Sequence, residues 1–410
     1  MDVADPVDTS SLPDGFWWGS GASSTQCEGA APASDWLAWE QAGKAPVSGE
    51  GNGFATRYAE DFANLAALGL THHRLSIEWA RIEPEPGRRD TEAIEHYLEV
   101  LRAARAAGIE PWVTLHHFTL PGWFAVDERG FVDQRARSYF WPRHVDFMAE
   151  TFGDLVFGWK PVNEPSAYAL LGWRLGLFPP GVSDAERFAE ALEAIHLATF
   201  DAALRLRETG KPVASINNLS PVVAAEPLPD VEVARDRLDH VQYGVWVEAV
   251  RDGILHVRGR APIERDEFRS AFDLIGFSYY NAMSIDRDGR IGPYPADARR
   301  GPMGYAPWSE GLGLLLQRLA EDLPDSPLLV CEHGIGTDDD AWREEFLRES
   351  LGFVNQAVAD GIDLRGFFHW TAVDNYEWTY GYSVRFGLFA QDRTPKPSTA
   401  LLRSWAQSSR

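Results

Sequence analysis

The stretch DLVFGWKPVNEPSAY, residues 154–168, decides how the rest of the chain is read. Its residues 155–162 form a short apolar run with two aromatics, the pattern of a strand buried on both faces. The run breaks abruptly into Asn163, Glu164 and Pro165. Proline has no backbone donor and biases the residue before it away from helical geometry, so the strand is predicted to stop there. The Glu164 carboxylate is left on the rim of a rigid scaffold, where polar chemistry is usually placed. LLVCEHG, residues 328–334, has the same design: apolar up to Cys331, then Glu332, with a glycine close behind. Two strand-end glutamates far apart in sequence predict a two-carboxylate active site.

Working outward, strands are predicted at 16–24, 73–79, 112–118, 155–162, 213–217, 274–280, 328–331 and 366–372. Helical periodicity falls between them at 62–70, 92–107, 137–152, 185–209, 235–251, 311–323 and 340–360, with a closing helix at 398–407. Strand and helix alternate about eight times, which favours an α/β fold closed into a single (β/α)8 TIM barrel over an open sheet. Residues 1–12 are expected as a flexible N-terminal tail and 13–410 as the catalytic barrel, with no interdomain linker or repeat. Segments 119–133 and 289–307 are expected as long loops after strands three and six, on the face where barrels build specificity.

Composition narrows the partners. Lysine plus arginine number 38 against 61 acidic residues, a net charge of −23, which argues against nucleic acid and anionic membrane surfaces. No run approaches the roughly 18 apolar residues of a membrane span. The first fifteen residues are acidic and polar, without the basic and apolar regions of a signal peptide. Cys27 and Cys331 are the only cysteines, which fits a reducing compartment, so a cytoplasmic location is expected. Oligomeric state leaves no mark in the sequence. Sixteen tryptophans are a heavy load. Aromatic faces pack on the C–H faces of sugars, but most of the sixteen are read as core.

In a barrel, the carboxyl ends of the strands converge on one pocket. Those ends supply Gln26 and Glu28, Arg74 and Glu78, His116 and His117, Asn163 and Glu164, Asn217, and Tyr279 and Tyr280. Glu332, Trp370, Asp374, Asn375, Glu377 and Trp378 complete the set. It is rich in carboxylates, amides and aromatics. A sugar has many hydroxyls to bond, and a glycosidic bond needs one acid and one nucleophile or base.

The order of motifs then becomes specific. FWWGSGASSTQCEGA, RYAEDFANLAALGLTHHRLSIEWARI, GIEPWVTLHHFTLP, WKPVNEP, LGWRLGLFPPG, DLIGFSYY, LLVCEHG and FFHWTAVDNYEWTYGYSVRFGL succeed one another along the chain. Together they resemble glycoside hydrolase family 1, the β-glucosidase-type retaining enzymes, over about 16–388. The resemblance implies a retaining β-glycosidase acting on small glycosides, with no cofactor and no metal. It implies Glu164 as general acid/base and Glu332 as nucleophile, with Arg74 and Tyr280 orienting Glu332. Asn163 would bond the 2-hydroxyl, Gln26 and His117 the 3-hydroxyl side, and Trp370 would form the platform under the ring. Glu377 and Trp378 would read the 4- and 6-hydroxyls, and a carboxylate there argues against 6-phosphosugars.

Elementary electrostatics supports this division. An arginine beside Glu332 favours its ionised form, and the charge on Glu332 raises the pKa of Glu164, keeping it protonated as an acid. Four positions depart from the family pattern: His333 stands for asparagine, Phe118 for tryptophan, Ser278 for asparagine, and Ser166 for a larger residue. The segment between strands five and six is also shortened. These departures point to a divergent branch with an unusual leaving-group pocket. Two other functions use the same inventory: transglycosylation to an alcohol acceptor, and a catalytically silent sugar-binding protein.

Other signals carry blander readings. His116 and His117 point to opposite faces of a strand and lack a third ligand, so they are read as core or sugar-binding, as are His72 and His73 in their turn. GSGASS lacks the lysine and glycine spacing of a phosphate loop. The aspartates at 338–340 are read as a helix cap, and Cys331 as a small buried hydrophobe.

Overall fold

The structure, a computed structural model, describes residues 11–408. Eight parallel strands carry the fold: β1 (Trp17–Gly21), β2 (His72–Ser76), β3 (Glu110–His116), β4 (Gly158–Val162), β5 (Asn217–Asn218), β6 (Ile275–Tyr279), β7 (Leu328–His333) and β8 (Leu364–His369). They run in the order β4-β3-β2-β1-β8-β7-β6-β5. The circle closes where Trp159 of β4 bridges Val213, just ahead of β5, and Ala214 bridges Leu274, just ahead of β6. The eight-stranded α/β barrel read from the sequence is therefore the fold.

Major helices between and after the strands include Phe54–Leu68, Thr91–Ala106, Gln134–Phe152, Ala185–Arg207, Glu310–Asp322, Asp340–Ala359 and Thr399–Ser408. Side-chain caps start several of them. Asp90 accepts from the amides of Glu92 and Ala93, Asp133 from Ala136, Asp184 from Arg187 and Asp339 from Trp342. Asp339 thus acts as the cap that its aspartate run suggests. Each cap satisfies amides that the first helical turn leaves without a partner.

Several boundaries differ from the sequence reading. Residues 24 and 79, expected in strands, open helical turns (Ser24–Glu28 and Trp79–Ile82); the second is capped by the Glu78 side chain, which accepts from the Ala80 amide. The helix expected at 235–251 is three pieces: Pro229–Asp239, a π-helical turn His240–Gly244, and Val245–Asp252. The loop expected at 289–307 contains the strand Ile291–Tyr294, which pairs antiparallel with Ala282–Ile285. Of the expected tail, residues 1–10 lie outside the described residues, while Leu12 packs into the main core.

The barrel interior is a floor of Trp112, Ala214, Ile216, Leu274, Leu329, Cys331 and Phe368. Glycine is required at 158, where a Cβ would stand 2.4 Å from the Trp112 ring. Lys160, read from sequence as part of an apolar run, is fully buried here. Its ammonium lies 5.3 Å and 4.8 Å from the Trp112 and Phe368 ring centres, and burial lowers its pKa. Trp36, Trp79, Trp141 and Trp246 are among the tryptophans that are almost wholly buried, which fits their reading as core.

One buried ion pair ties the chain after β8 to the first long helix. Arg393 donates from Nε and Nη2 to the two oxygens of Asp61, both at 2.7 Å, with each side chain 2% exposed. A carboxylate removed from such a pair leaves a guanidinium unpaired in a dry site. Asp61→Ala is expected to cost about 3–5 kcal/mol, read as a lowered midpoint of denaturant unfolding at unchanged slope.

Candidate active site

In the middle of β2, Arg74 is completely buried and organises the pocket. Its Nε donates to Thr114 Oγ1 at 2.7 Å, on neighbouring β3. Nη1 donates to Glu332 Oε1 at 2.5 Å, while Nη2 donates to Asn163 Oδ1 at 2.5 Å and to His117 Nδ1 at 2.9 Å. Because arginine only donates, these bonds settle two ambiguous groups. Asn163 must turn its oxygen to Arg74 and its NH2 away from it. His117 must accept on Nδ1 and carry its proton on Nε2. Burial, reinforced by the Arg74 charge, holds the His117 pKa well below the usual histidine value, so the ring is neutral.

Glu332 lies on β7 and is 3% exposed. With Oε1 bonded to Arg74, its Oε2 accepts from the Tyr280 hydroxyl at 2.5 Å. Burial, then the charges of Glu332 and Glu164, keeps the Tyr280 pKa well above its ordinary value, so this phenol remains a donor.

Glu164 follows β4 by two residues. Its backbone is left-handed at φ 46°, a geometry disfavoured for a residue with a side chain, and its amide donates to the Ile216 carbonyl at 2.9 Å. Pro165 follows at the first position of the helix Pro165–Ala169, where its missing donor costs nothing. The strand stops at Val162 as the sequence predicts, and Glu164 lies outside right-handed helical geometry, but its left-handed backbone has no sequence signal. Glu164 Oε1 accepts from the Ser278 hydroxyl and, at 3.3 Å, from Asn218 Nδ2. Burial pushes the Glu164 pKa up to about 8, with the Glu332 charge as the next cause, against the opposing hydrogen bonds from Ser278 and Asn218.

Across the pocket, Gln26 Nε2 donates to Glu377 Oε2 at 3.1 Å, and Ser23 holds the Gln26 oxygen at 2.7 Å. Burial, then the charges of Glu332 and Glu164, raises the Glu377 pKa to about 8. The His117 ring lies nearly parallel to Trp370, 5.8 Å away at 7°, and to Trp378, 6.0 Å away at 11°.

Glu164, Glu332, Tyr280, Gln26, His117, Asn163, Trp370, Glu377 and Trp378 line one cavity of about 310 Å³, with Arg74 bonded behind three of them. Other strand-end residues turn away. Glu28 accepts from Tyr97, Glu78 from Ser24 and Thr119, and Asp374 pairs with Lys396. Tyr279 donates to the Trp308 carbonyl, and His116 packs against Phe131 and Tyr168. Sequence reasoning missed Thr114 and Asn218 and treated Ser278 only as a departure. Asn218 adjoins Asn217, which the strand-end reading selected, so the signal was one position away. Leu171, from the π-helical turn Leu170–Arg174, and Phe178, Met303, Tyr305 and Phe386, from loops, also line the cavity and carry no strand-end signature. A larger cleft of about 560 Å³, bounded by Asp35, Arg129, Trp173 and Arg187, contains none of the paired groups described above.

Comparisons with known proteins identify the family. The family model described as "Glycosyl hydrolase family 1" matches residues 8–409. A thermostable β-glucosidase B from Thermobispora bispora is 30% identical, over 93% of this chain and 87% of its own length. β-Glucosidase A from Thermotoga maritima is 27% identical, over 93% of each chain. Among solved structures, a β-glycosidase from Pyrococcus horikoshii superposes with a TM-score of 0.87 at 28% identity, covering 97% of this chain and 95% of the other. A Thermotoga maritima β-glucosidase bound to glucoimidazole gives 0.88 at 25% identity, covering 97% and 99%. This chain belongs to glycosyl hydrolase family 1, as a divergent member.

Proposed function

We propose that this glycoside hydrolase is a retaining β-glycosidase of the β-glucosidase type, which cleaves small β-glycosides by double displacement. The observation that carries the proposal is the contrast between its two central carboxylates. Glu332 receives one charged and one phenolic donor, one on each oxygen, which holds its carboxylate in one orientation beside a counter-charge, as a nucleophile needs. Glu164 sits in a dry setting beside that charge with its pKa raised to about 8, which favours the protonated form an acid needs.

In the first step, a Glu332 oxygen attacks the anomeric carbon as the bond to the leaving oxygen breaks, and Glu164 gives its proton to that oxygen. Glu332 is then esterified to the sugar, and Glu164 is a carboxylate. In the second step, Glu164 takes a proton from water, whose oxygen attacks the anomeric carbon and releases Glu332. Two inversions leave the configuration unchanged. Oε1 of Glu164 is occupied by two donors, so the transferable proton belongs on Oε2. The Asn163 NH2 and the His117 Nε2–H serve as donors to sugar hydroxyls, with the Gln26–Glu377 pair as the polar wall and Trp370 and Trp378 as apolar faces. Leu171, Phe178, Met303 and Phe386 suit a leaving group with an apolar body. Two free, buried cysteines support a cytoplasmic location, and among the described residues no helix is long and apolar enough to cross a membrane.

A panel of aryl β-glycosides tests the proposal. Wild type is expected to turn over at least the β-glucoside, and an intact panel would refute the enzyme reading. Glu332→Ala is expected to lower kcat by at least about 10⁴-fold, with azide restoring part of the turnover as a glycosyl azide of inverted configuration. Azide product of retained configuration would assign the nucleophile elsewhere.

The pH profile gives a second check. Glu164 must hold its proton for the first step, so kcat/KM is expected to fall as pH rises through about 8. Ser278 bonds the ionised carboxylate and so lowers that pKa; removing it acts in the opposite sense. Ser278→Ala is expected to move the alkaline limb upward by up to about one pH unit and to reduce kcat. An unmoved limb would show that Ser278 does not set the acidity of Glu164.

A further inference from the structure

A second polar cluster lies outside the pocket, in the segment between β5 and β6. His240 opens the π-helical turn, Glu248 lies on the helix Val245–Asp252, and His256 follows the short strand Ile254–Leu255. His240 Nε2 stands 3.0 Å from the His256 carbonyl oxygen. A carbonyl can only accept, so Nε2 carries the proton. In the neutral ring Nδ1 is then a bare lone pair. It faces Glu248 Oε1 at 3.5 Å, with no hydrogen on either atom. Two acceptors so close repel unless a cation stands between them, and only a proton or a metal ion fits.

The spacing of this pair matches the metal. Two ligands of a tetrahedral zinc ion with bonds of about 2.1 Å are about 3.4 Å apart. A ring nitrogen of His256 completes a group whose ligand atoms all lie within 4.8 Å of one another. Two histidines and a glutamate are a donor set that zinc accepts while keeping a fourth position for water. The Nε2–H bond to a backbone carbonyl is the second contact by which metal-binding histidines are held in one tautomer and orientation. The backbone also gives way to this ring. At Gly244 a Cβ would stand 2.5 Å from His240 Nδ1, and the π-helical turn widens the chain there.

We propose that His240, Glu248 and His256 form a binding site for a divalent transition-metal ion of zinc type, which clips the π-helical turn to the chain after the Ile254–Leu255 strand. The clip adjoins the active-site support, because the Val241 carbonyl accepts from the Ser166 hydroxyl at 2.8 Å, two residues beyond Glu164. It contributes no group to the pocket, so it acts on stability and not on bond cleavage.

The full chain, stripped with a chelator and dialysed, is titrated with zinc chloride by calorimetry and followed by thermal unfolding. One equivalent is expected to bind with Kd of ~10 μM or below, and free zinc at about 100 times Kd is expected to raise Tm by several degrees. His256→Ala keeps the backbone acceptor of His240 and removes one ligand. It is expected to weaken binding at least about tenfold and to abolish the rise in Tm, as is Glu248→Gln. Cooperative unfolding of each variant without zinc verifies that it is folded. Unaltered zinc affinity in both variants would place the ion elsewhere, and absence of stoichiometric binding to wild type would leave a proton as the bridge. Either result overturns the proposal.

Discussion

The pocket depends on keeping one guanidinium dry. Burying a charge is costly unless its hydrogen-bonding capacity is met and a counter-charge is near. Arg74 meets both conditions through a hydroxyl on β3, an amide oxygen beyond β4, an imidazole nitrogen beyond β3 and a carboxylate on β7. One cation therefore holds one oxygen of Glu332 and fixes the amide orientation of Asn163 and the tautomer of His117. Lysine could not substitute, since a point charge with three donors cannot span partners laid out around a planar fork. The cation also explains how several acidic groups share a small cavity. Only one carboxylate touches it directly; Glu164 and Glu377 are left where burial favours their neutral forms.

Much of the barrel is legible in sequence because strands covered on both faces leave continuous apolar runs, and the runs at 155–162 and 328–331 each end in the glutamate that matters. β5 is the exception. Only Asn217 and Asn218 pair as a strand, and the preceding residues join the sheet through single bridges, so apolarity alone mislocates it. The pair at 282–285 and 291–294 escapes because its segment is rich in glycine and proline, which signal a loop more strongly than they exclude an edge strand. Within the site, residues at strand ends are readable by position. Those that act by hydrogen bonding to other side chains, such as Thr114 and Asn218, become visible only when neighbouring strands are in register.

The departures from the family pattern divide along the same line. His333 points away from the pocket, where it stacks on Phe346 at 4.6 Å and bonds Ser350 at 2.8 Å, so its effect is on packing behind the sheet. Ser166 spends its hydroxyl on His196 and the Val241 carbonyl. Phe118 lies in the cavity against Phe178 and Trp378, at 5.7 Å and 5.5 Å, and keeps an aromatic ring at that wall. Of the four, Ser278 alone touches Glu164, a carboxylate of the proposed mechanism. Divergence has thus been accommodated mainly in the walls and the backing, with a single change beside the reacting groups.

The closure of the barrel has an asymmetric consequence. The join between β4 and the chain leading into β5 is made by a handful of backbone contacts: Trp159 to Pro212, Ala214 back to Trp159, and Glu164 to Ile216. β7, in contrast, is paired along its length on both sides. Breathing motions that part the cylinder will start at the sparsely stitched seam. They will disturb Glu164, the proposed proton donor, long before they reach Glu332, the proposed nucleophile, so on that assignment a partly loosened molecule would lose its ability to expel poor leaving groups first.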